Sequence, residues 1–268
     1  MFLIGWILSK CRRFNPLFAL LLMCIVYMTY QHAPESRKSV EQVSDPISKE
    51  LQLLIDEQFL NIGPLQLEGH QFDLSAAGQS KLVAKVFKNK TGGTYVEAGA
   101  HNGLSESNTV YLEMALGWTG LLVEPNPEYF QNLTRLRRRT RVLNACISPS
   151  NKKNTLDIER KNMGQFLSLR DTNFQATCYP LFNILEAAGL LKLDVLFLDV
   201  DGVEKSILDG FPWHLADISM LFTECNPPGP LECEHLTDPL VQTMAKYGYK
   251  NISQIGNDVV FLKNGIEF

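Results

Sequence analysis

The stretch YVEAGAHNG, residues 95–103, decides the fold of this chain. It begins as an apolar strand and runs into a turn that contains Gly99 and Gly103. Glycine lets a backbone approach a ligand at distances that a Cβ atom would prevent, although tight turns also use glycine for steric reasons alone. The stretch therefore predicts an α/β sheet whose first strand ends at a turn suited to a ligand.

The stretch LLVEPNP, residues 121–127, contains the end of a second predicted strand, which finishes at the acid Glu124. An acid about 20 residues after a glycine turn, at the carboxyl end of a strand, can accept hydrogen bonds from both hydroxyls of a ribose. Glu124 can alternatively be an acid favoured by the helix dipole, since Pro125–Pro127 begin a helix. The glycine turn and the acid together predict a cofactor that contains adenosine, with Glu124 as its ribose acceptor.

Strand and helix patterns alternate from about residue 75 to the end of the chain. Major strands are predicted at 94–98, 120–124, 141–147, 194–200 and 218–223, with short ones at 155–158 and 166–169. Helices are predicted at 75–87, 107–116, 128–138, 180–188, 204–208 and 239–247. This order predicts a doubly wound, mostly parallel sheet. A hairpin over 249–255 and 259–263 is predicted to close it, which a plain dinucleotide-binding domain lacks.

Polar residues follow each of the five major strands, where open α/β sheets bind their ligands. Stability alone does not readily explain five such strand ends, so we expect a small-molecule site at this edge. The residues are Glu97, Gly99, His101, Asn102, Glu124, Asn126, Asn144, Ala145, Cys146, Asp199, Asp201, Glu204, Glu224 and Asn226.

Four of these acids, Asp199, Asp201, Glu204 and Glu224, are predicted to form a carboxylate cluster. The cluster can bind a divalent cation together with Asn226, or supply a base for a substrate hydroxyl. Structural carboxylates at helix N-termini are an equally good explanation, and no metal site is assigned.

Glu97 and His101 each have two interpretations. Glu97 either orients the glycine turn or binds the amino-acid portion of a cofactor, or it accepts hydrogen bonds from backbone N–H groups as a cap. His101 is either a base or substrate contact, or an incidental histidine of the loop.

The composition argues against a nucleic-acid partner, because 268 residues carry a net charge of −4. The basic run Arg135, Arg137, Arg138, Arg139 and Arg141 is the exception. Such a run is more often a solvated helix end than a phosphate site.

The N-terminal region predicts a membrane anchor. Residues 14–30 contain no charged side chain, and Lys10, Arg12 and Arg13 precede them. Such a run of about 17 residues is near the lower limit for a bilayer span. The preceding cations favour a cytosolic N-terminus and a luminal domain. A cleaved signal peptide is the alternative, but no small-x-small cleavage site follows the run.

The predicted organisation is a cytosolic segment at 1–13, a transmembrane signal anchor at 14–30, a stem at 31–62 and a domain at 63–268. Within the stem, Leu51, Leu54, Ile55 and Phe59 recur at helical spacing and predict a stripe that packs on the domain or on a partner helix.

Glycosylation sequons and cysteines are compatible with a luminal domain. The sequons begin at Asn89, Asn132 and Asn251. The domain cysteines Cys146, Cys178, Cys225 and Cys233 allow two disulfides in three pairings, and buried thiols are the alternative.

Four of these motifs together resemble a known family. VEAGAHNG at 96–103, EPNP at 124–127, NACIS at 144–148 and LDVDGVE at 198–204 look like the FkbM-type methyltransferase domain. The resemblance covers roughly residues 75–263. It implies a class I, Rossmann-like fold that uses S-adenosylmethionine to methylate oxygen.

The resemblance assigns roles to individual residues. Catalytic roles are implied for Asp199, Asp201 and Glu204. Contacts with S-adenosylmethionine are implied for Glu97, Gly99, Ala100, Asn102, Gly103, Glu124, Pro125, Asn144, Ala145, Cys146 and Asp199. Asp201 stands where bacterial members usually have Glu, and this carboxylate is set back by about 1.5 Å, one C–C bond. The change predicts weaker catalysis with cofactor binding intact.

The chain is most similar to the Star-like branch of this family. The similarity rests on SNTVYLE at 107–113, LGWTGLLVEP at 116–125, CYPLF at 178–182 and Asp201. It implies a single-pass type II membrane protein of the endoplasmic reticulum, Golgi and endosomes, with the plasma membrane as a further location. It also implies a role in moving transmembrane cargo out of the endoplasmic reticulum.

Three functions are therefore compatible with the sequence. The first is a membrane-anchored trafficking factor that retains an S-adenosylmethionine site. The second is an active O-methyltransferase whose acceptor is a glycan, a lipid or a small molecule of the secretory pathway. The third, an interaction surface without a cofactor, is disfavoured by the intact glycines and Glu124.

Overall fold

The computed structural model of the chain describes residues 45–59, 73–158, 174–225 and 233–267. In these ranges, no helix has both the length and the apolar character needed to cross a bilayer. The predicted segments at 1–13 and 14–30, most of the stem at 31–62 and the short strand at 166–169 lie outside the described residues.

The described residues form alternating strands and helices. The strands are β1 (Thr94–Ala98), β2 (Thr119–Val123), β3 (Arg141–Leu143), β4 (Cys146–Ile147), β5 (Asn154–Ile158), β6 (Phe174–Tyr179), β7 (Lys192–Leu198), β8 (Asp217–Glu224), β9 (Tyr249–Ile255) and β10 (Asp258–Lys263). The helices are α1 (Pro46–Phe59), α2 (Gln79–Val86), α3 (Val110–Leu116), α4 (Pro127–Arg135), α5 (Leu181–Ala187), α6 (Glu204–Gly210) and α7 (Cys233–Lys246).

The main sheet has the strand order β3-β2-β1-β7-β8-β10-β9. Its first five strands are parallel, whereas β10 is antiparallel to both β8 and β9. The chain moves outward from β1 to β3 and then returns to β7 beside β1, so the switch point lies between β1 and β7. The predicted doubly wound sheet with a closing antiparallel hairpin is confirmed.

The apolar run of β7 shows why the sheet is buried on both faces. Val195 and Phe197 contribute to the core on one face, and Leu196 and Leu198 to the core on the other. A parallel strand covered by helices on both sides requires such a continuous apolar run.

The strand predicted over 141–147 is wrong as a single element. β3 ends at Leu143, and β4 begins at Cys146 in a separate sheet of order β4-β6-β5. Between them, Asn144 Nδ2 donates to the carbonyl oxygens of Glu124 at 2.8 Å and Pro125 at 3.2 Å. These bonds hold the connecting backbone beside the end of β2 while the chain passes to the second sheet.

Three helices have a terminus at least three residues short of its predicted position. α2 begins at Gln79 rather than at residue 75, and α3 begins at Val110 rather than at residue 107. α4 ends at Arg135, and Arg137 adopts a positive φ of 51°, which an α-helix cannot contain. The shortened start of α3 leaves residues 107–109 available to the site described below.

The predicted helical stripe in the stem packs on the domain. Leu51 and Ile55 of α1 are buried in the same core as β7. Polar contacts fix the helix as well, because Asn183 Nδ2 of α5 donates to Asp45 and Ser48, both at 2.9 Å. The α1 helix is therefore a structural part of the domain.

Candidate functional site

Gly99 directly follows β1, at the carboxyl ends of β1, β2 and β7. Asp199 N donates to Ala98 O at 3.1 Å, and Gly99 N donates to Val123 O at 3.0 Å. A Cβ atom at Gly99 would lie 2.0 Å from the carbonyl oxygen of Asp199, and its φ is +85°. Only glycine fits here, so Gly99 is required for steric reasons. Its lack of a side chain lets the ends of β1, β2 and β7 come together.

Glu124 is buried at the end of β2, with 5% of its surface exposed. One carboxylate oxygen accepts from His101 N at 2.7 Å, and the other accepts from Asn126 N at 2.8 Å. Burial raises the pKa of Glu124 to about 7, the two N–H donors lower it, and the negative charge of Asp201 raises it further. A carboxylate oxygen has more than one lone pair, so each can still accept a ligand hydroxyl.

The turn after β1 is held by its own polar groups. Asn102 Oδ1 accepts from Leu104 N at 3.0 Å and from Ser105 N at 2.9 Å, which forms an Asx-type turn. Ala100 is buried, and its N–H also donates to Val123 O. His101 has a φ of +50°, and its exposed ring lies 3.9 Å from that of Tyr129, centroid to centroid.

The edge beyond β2 is shaped by Asn144 and Asn126. Asn144 fixes the Glu124–Pro125 backbone, and Ala145 beside it is buried. Asn126 caps α4 by accepting from Glu128 N and Tyr129 N. The predicted residues Glu124, Pro125, Asn144 and Ala145 therefore lie together at one edge.

Glu97 is surrounded by the segment before α3. Its carboxylate accepts from the Ser107 hydroxyl at 3.0 Å, from Asn108 N at 2.7 Å and from the Thr109 hydroxyl. These bonds match the capping interpretation. A direct contact of Glu97 with a cofactor remains a prediction.

Arg138 is buried, whereas the basic run that contains it predicts a solvated helix end. Its guanidinium donates to Glu113 at 2.9 Å, to Gly103 O at 2.9 Å and to the Thr109 hydroxyl at 2.8 Å. It connects the glycine turn to the segment around Glu97 and to α3. Nothing in the sequence separates Arg138 from its exposed neighbours Arg137 and Arg139, so its burial could not be predicted.

Three acids meet at the ends of β7 and β8. Carboxylate oxygens of Asp199, Glu204 and Glu224 lie within 4.8 Å of one another. Although Asp199 as a residue reaches solvent, removal of its carboxyl from bulk water is the largest effect that raises its pKa. A hydrogen bond with Glu224 and the charges of Glu224, Asp201 and Asp258 raise the pKa of Asp199 further.

Glu204 and Asp201 shape the turn between β7 and α6. Glu204 Oε1 accepts from Val200 N at 2.8 Å and from Gly202 N at 3.2 Å, and burial raises its pKa. Asp201 has a φ of +60°, a conformation that Asp adopts more readily than longer acids. The backbone thus offers a physical reason for Asp at this position.

Cys146 forms a disulfide with Cys178, between β4 and β6. The predicted cofactor contact of Cys146 would therefore have to come from its backbone rather than from a thiol. Asn226, the predicted polar residue after the fifth major strand, lies outside the described residues.

The polar groups at the carboxyl ends of β1 and β2 fit an adenosine cofactor. A buried carboxylate at the end of β2 matches two adjacent ribose hydroxyls, and the glycine turn lies at the same edge of the sheet. The Asp199 and Glu224 carboxyl groups lie at the neighbouring strand ends, where an acceptor hydroxyl can be held.

Comparison with known proteins gives one family. The methyltransferase FkbM domain model matches residues 97–250, more than half of the chain. No curated protein matches the chain significantly.

Solved structures are similar at low identity. A methyltransferase from Pyrococcus furiosus is 15% identical, with 80% of this chain and 97% of that chain covered and a TM-score of 0.39. Methyltransferase FkbM from Methylobacillus flagellatus KT is 12% identical, with coverages of 81% and 58% and a TM-score of 0.42. A SAM-dependent methyltransferase from Thiobacillus denitrificans, in complex with S-adenosyl-L-homocysteine, is 9% identical, with both coverages 70% and a TM-score of 0.32.

Proposed function

The chain belongs to the methyltransferase FkbM domain family, and we propose that it binds S-adenosylmethionine at the carboxyl ends of β1 and β2 and methylates an acceptor oxygen. The observation that carries this proposal is the Glu124 carboxylate, which two backbone N–H groups hold in place at the edge of the glycine turn. Fixed geometry of this kind lowers the entropy cost of binding.

Different residues of the chain would bind the cofactor and orient the acceptor. Glu124 would hold the ribose, and the turn from Gly99 to Gly103 would hold the rest of the cofactor against β1. The bound cofactor supplies an electrophilic methyl group. The carboxyl groups of Asp199 and Glu224, whose oxygens lie within 4.8 Å of each other, would orient an acceptor hydroxyl and accept its proton as the oxygen is methylated.

Calorimetry tests the cofactor site directly. S-Adenosylmethionine is titrated into residues 45–268, the compact unit that includes α1, at a pH above 8 where Glu124 is ionised. Glu124→Gln removes a charged acceptor and should raise Kd roughly tenfold to a hundredfold, since hydrogen bonds to charged groups contribute about 1.5–3 kcal/mol.

Glu128→Gln is the matched control, because Glu128 is an exposed acid in the first turn of α4. It should bind like the wild type. Equal affinity in all three proteins, or no binding by a folded wild type, would remove the proposal.

We further propose that the domain is luminal and anchored through residues 14–30. The Cys146–Cys178 disulfide supports this location, because disulfides persist in secretory compartments and are rare in the cytosol. The basic residues before the predicted anchor support the same orientation.

On this basis, and on the resemblance to the Star-like branch, we propose a role in transport of transmembrane cargo from the endoplasmic reticulum through the Golgi to endosomes. In this setting the acceptor would be a secretory glycan, lipid or small molecule. Rescue of cargo export by full-length Glu124→Gln separates the two activities. Rescue equal to that of the wild type means that cargo handling does not need the cofactor, whereas failure to rescue makes methylation part of transport.

A further inference from the structure

The three glycosylation sequons occupy different environments in the fold. The sequon at Asn89 lies in the turn between α2 and β1, the one at Asn132 lies inside α4, and the one at Asn251 lies in β9. A glycan is bulky and hydrated, so it requires an acceptor from which it can extend into solvent. The three positions are therefore not equivalent as modification sites.

Asn89 has the open environment that a glycan needs. Asn89, Lys90 and Thr91 are all exposed, and Asn89 adopts a left-handed conformation with φ +55° at the end of the helical turn. The backbone of the turn is nevertheless fixed. Asn89 N donates to Ala84 O at 2.7 Å, and Trp118 Nε1 donates to Lys90 O at 2.6 Å.

Asn132 has a closed environment by comparison. It is half-buried within a regular helix, and the next residue, Leu133, is buried against Gly103 of the glycine turn. The sequon hydroxyl is also used internally, because Thr134 Oγ1 donates to Gln131 O at 2.9 Å. A glycan at Asn132 would have to be accommodated where the side chain already lies partly against the domain.

Asn251 is exposed, but its sequon is part of the sheet. It pairs with Phe261 of β10, and its side chain accepts from Ser253 N at 3.1 Å. Ser253 itself is half-buried, and its hydroxyl donates to Gln254 O. The strand thus commits the amide oxygen of Asn251 and the hydroxyl of Ser253 to local bonds.

We propose that Asn89 is the site of N-linked glycosylation in this chain, an inference that rests on the proposed luminal location of the domain. The donor is an oligosaccharide linked to a lipid diphosphate. Asn89 Nδ2 forms a bond to C1 of the first sugar and loses a proton, while the bond between C1 and the diphosphate breaks and the lipid diphosphate leaves.

The location of Asn89 makes a glycan compatible with the cofactor site. Asn89 precedes β1, and Lys90 Nζ contacts Asp194 near the start of β7 at 2.7 Å. Both strands begin at this edge of the sheet, whereas the glycine turn and Glu124 lie at the opposite edge. A glycan at Asn89 would shield the amino ends of the strands and leave the site open.

The test expresses the full chain in secretory-competent cells and compares gel mobility before and after an endoglycosidase that removes N-linked glycans. Thr91→Ala removes the sequon hydroxyl but keeps Asn89 and its left-handed turn. Thr134→Ala and Ser253→Ala are the matched variants of the other sequons. We expect one glycan, present in the wild type and in these two variants and absent in Thr91→Ala and in Asn89→Asp.

Two results would overturn the inference. In the first, Thr91→Ala keeps every glycan that the wild type carries. In the second, the wild type carries none. A reporter sequon appended after the last residue then identifies the cause, because a glycosylated reporter means that the domain is luminal and only the Asn89 inference fails. An unmodified reporter means that the luminal location fails too.

Discussion

Arg138 shows how a single buried charge can organise the surroundings of a site. It is 3% exposed and lies 2.9 Å from the Glu113 carboxylate, which is also buried. A buried ion pair contributes little net stability, but removing one partner leaves the other charge uncompensated. The bonds of Arg138 to Gly103 O and to the Ser107 and Thr109 hydroxyls extend this effect to the glycine turn and to Glu97.

Arg138→Met should therefore lower the free energy of unfolding by about 3–5 kcal/mol. The matched control is Arg139→Met, because the Arg139 side chain is exposed and only its backbone N–H contacts Glu113. The control should change stability by no more than about 0.5 kcal/mol. Urea unfolding of residues 45–268 measures both, and similar losses in the two variants would contradict the role of Arg138.

Gly99 has both a positive φ and no room for a Cβ, and Gly117 provides a comparison that has only the positive φ. Gly117 also has a positive φ, of +65°, but a Cβ there would meet nothing within 4 Å. Gly117→Ala should cost roughly 1–2 kcal/mol, the cost of a left-handed conformation.

Gly99→Ala adds the collision with Asp199 O and should be clearly more destabilising than Gly117→Ala in the same unfolding assay. It should also weaken S-adenosylmethionine binding in calorimetry, since the ends of β1 and β7 must separate. Equal costs for the two alanines would mean that the backbone relaxes around Gly99.

Among the elements, α1 is notable because it links the proposed anchor to the domain while belonging to the domain's core. Its inner face is fixed by Leu51 and Ile55, and its polar side by Ser48 and Glu50. Glu50 accepts from the Tyr179 hydroxyl at 2.8 Å and pairs with Lys153 Nζ at 2.7 Å. The helix thereby ties the small sheet, through β6, to the main core.

Leu51→Ala should destabilise residues 45–268 by about 2–5 kcal/mol, because it leaves a cavity in the core. Leu53→Ala is the control two residues away on the same helix, since Leu53 is 71% exposed, and it should change stability by less than about 0.5 kcal/mol. Thermal or urea unfolding distinguishes them. If Leu51→Ala were equally mild, α1 would not be part of the domain's folding unit.

The connection between β3 and β4 is a second element whose position matters. Asn144 holds the chain at the end of β2, and the Cys146–Cys178 disulfide then fixes it to β6. Two different kinds of bond thus position adjacent residues, so the edge beside Glu124 is well defined before any ligand binds.

For the whole molecule, buried carboxyls predict how stability depends on pH. Burial raises the pKa of Glu124 from its ordinary value of 4.5 to about 7, and that of Asp258 from 3.8 to about 6. The folded protein therefore binds more protons than the unfolded chain between about pH 4 and 7. This contribution to stability is fully present below the ordinary pKa values and is lost as pH rises through 6 and 7.

The cofactor-free domain should consequently be more stable at pH 5.5 than at pH 7.5, with each titrating group contributing at most about 1.4 kcal/mol per pH unit. Glu124→Gln should flatten the dependence in the upper part of this range. Cofactor affinity should change in the opposite sense, since ribose binding requires the ionised Glu124. Unfolding and calorimetry across the range test both, and an unchanged slope in Glu124→Gln would contradict the assignment.

The sequence by itself determined the sheet, because local patterns carry that information. The apolar run of β7 and the turn after β1 depend on residues close in the chain, so a mostly parallel, doubly wound sheet with a closing hairpin was predictable. The edge that carries Glu124, Asn144 and Asp199 was predictable for the same reason, since parallel strands all end at one side.

Only the tertiary structure decided how those residues are used. The burial of Arg138, the proximity of Asp199 to Glu224, the pairing of Cys146 with Cys178 and the choice of the core rather than a partner helix as the surface that covers α1 all join residues far apart in sequence. Such contacts depend on the free energy of burying particular groups together, which no local pattern encodes.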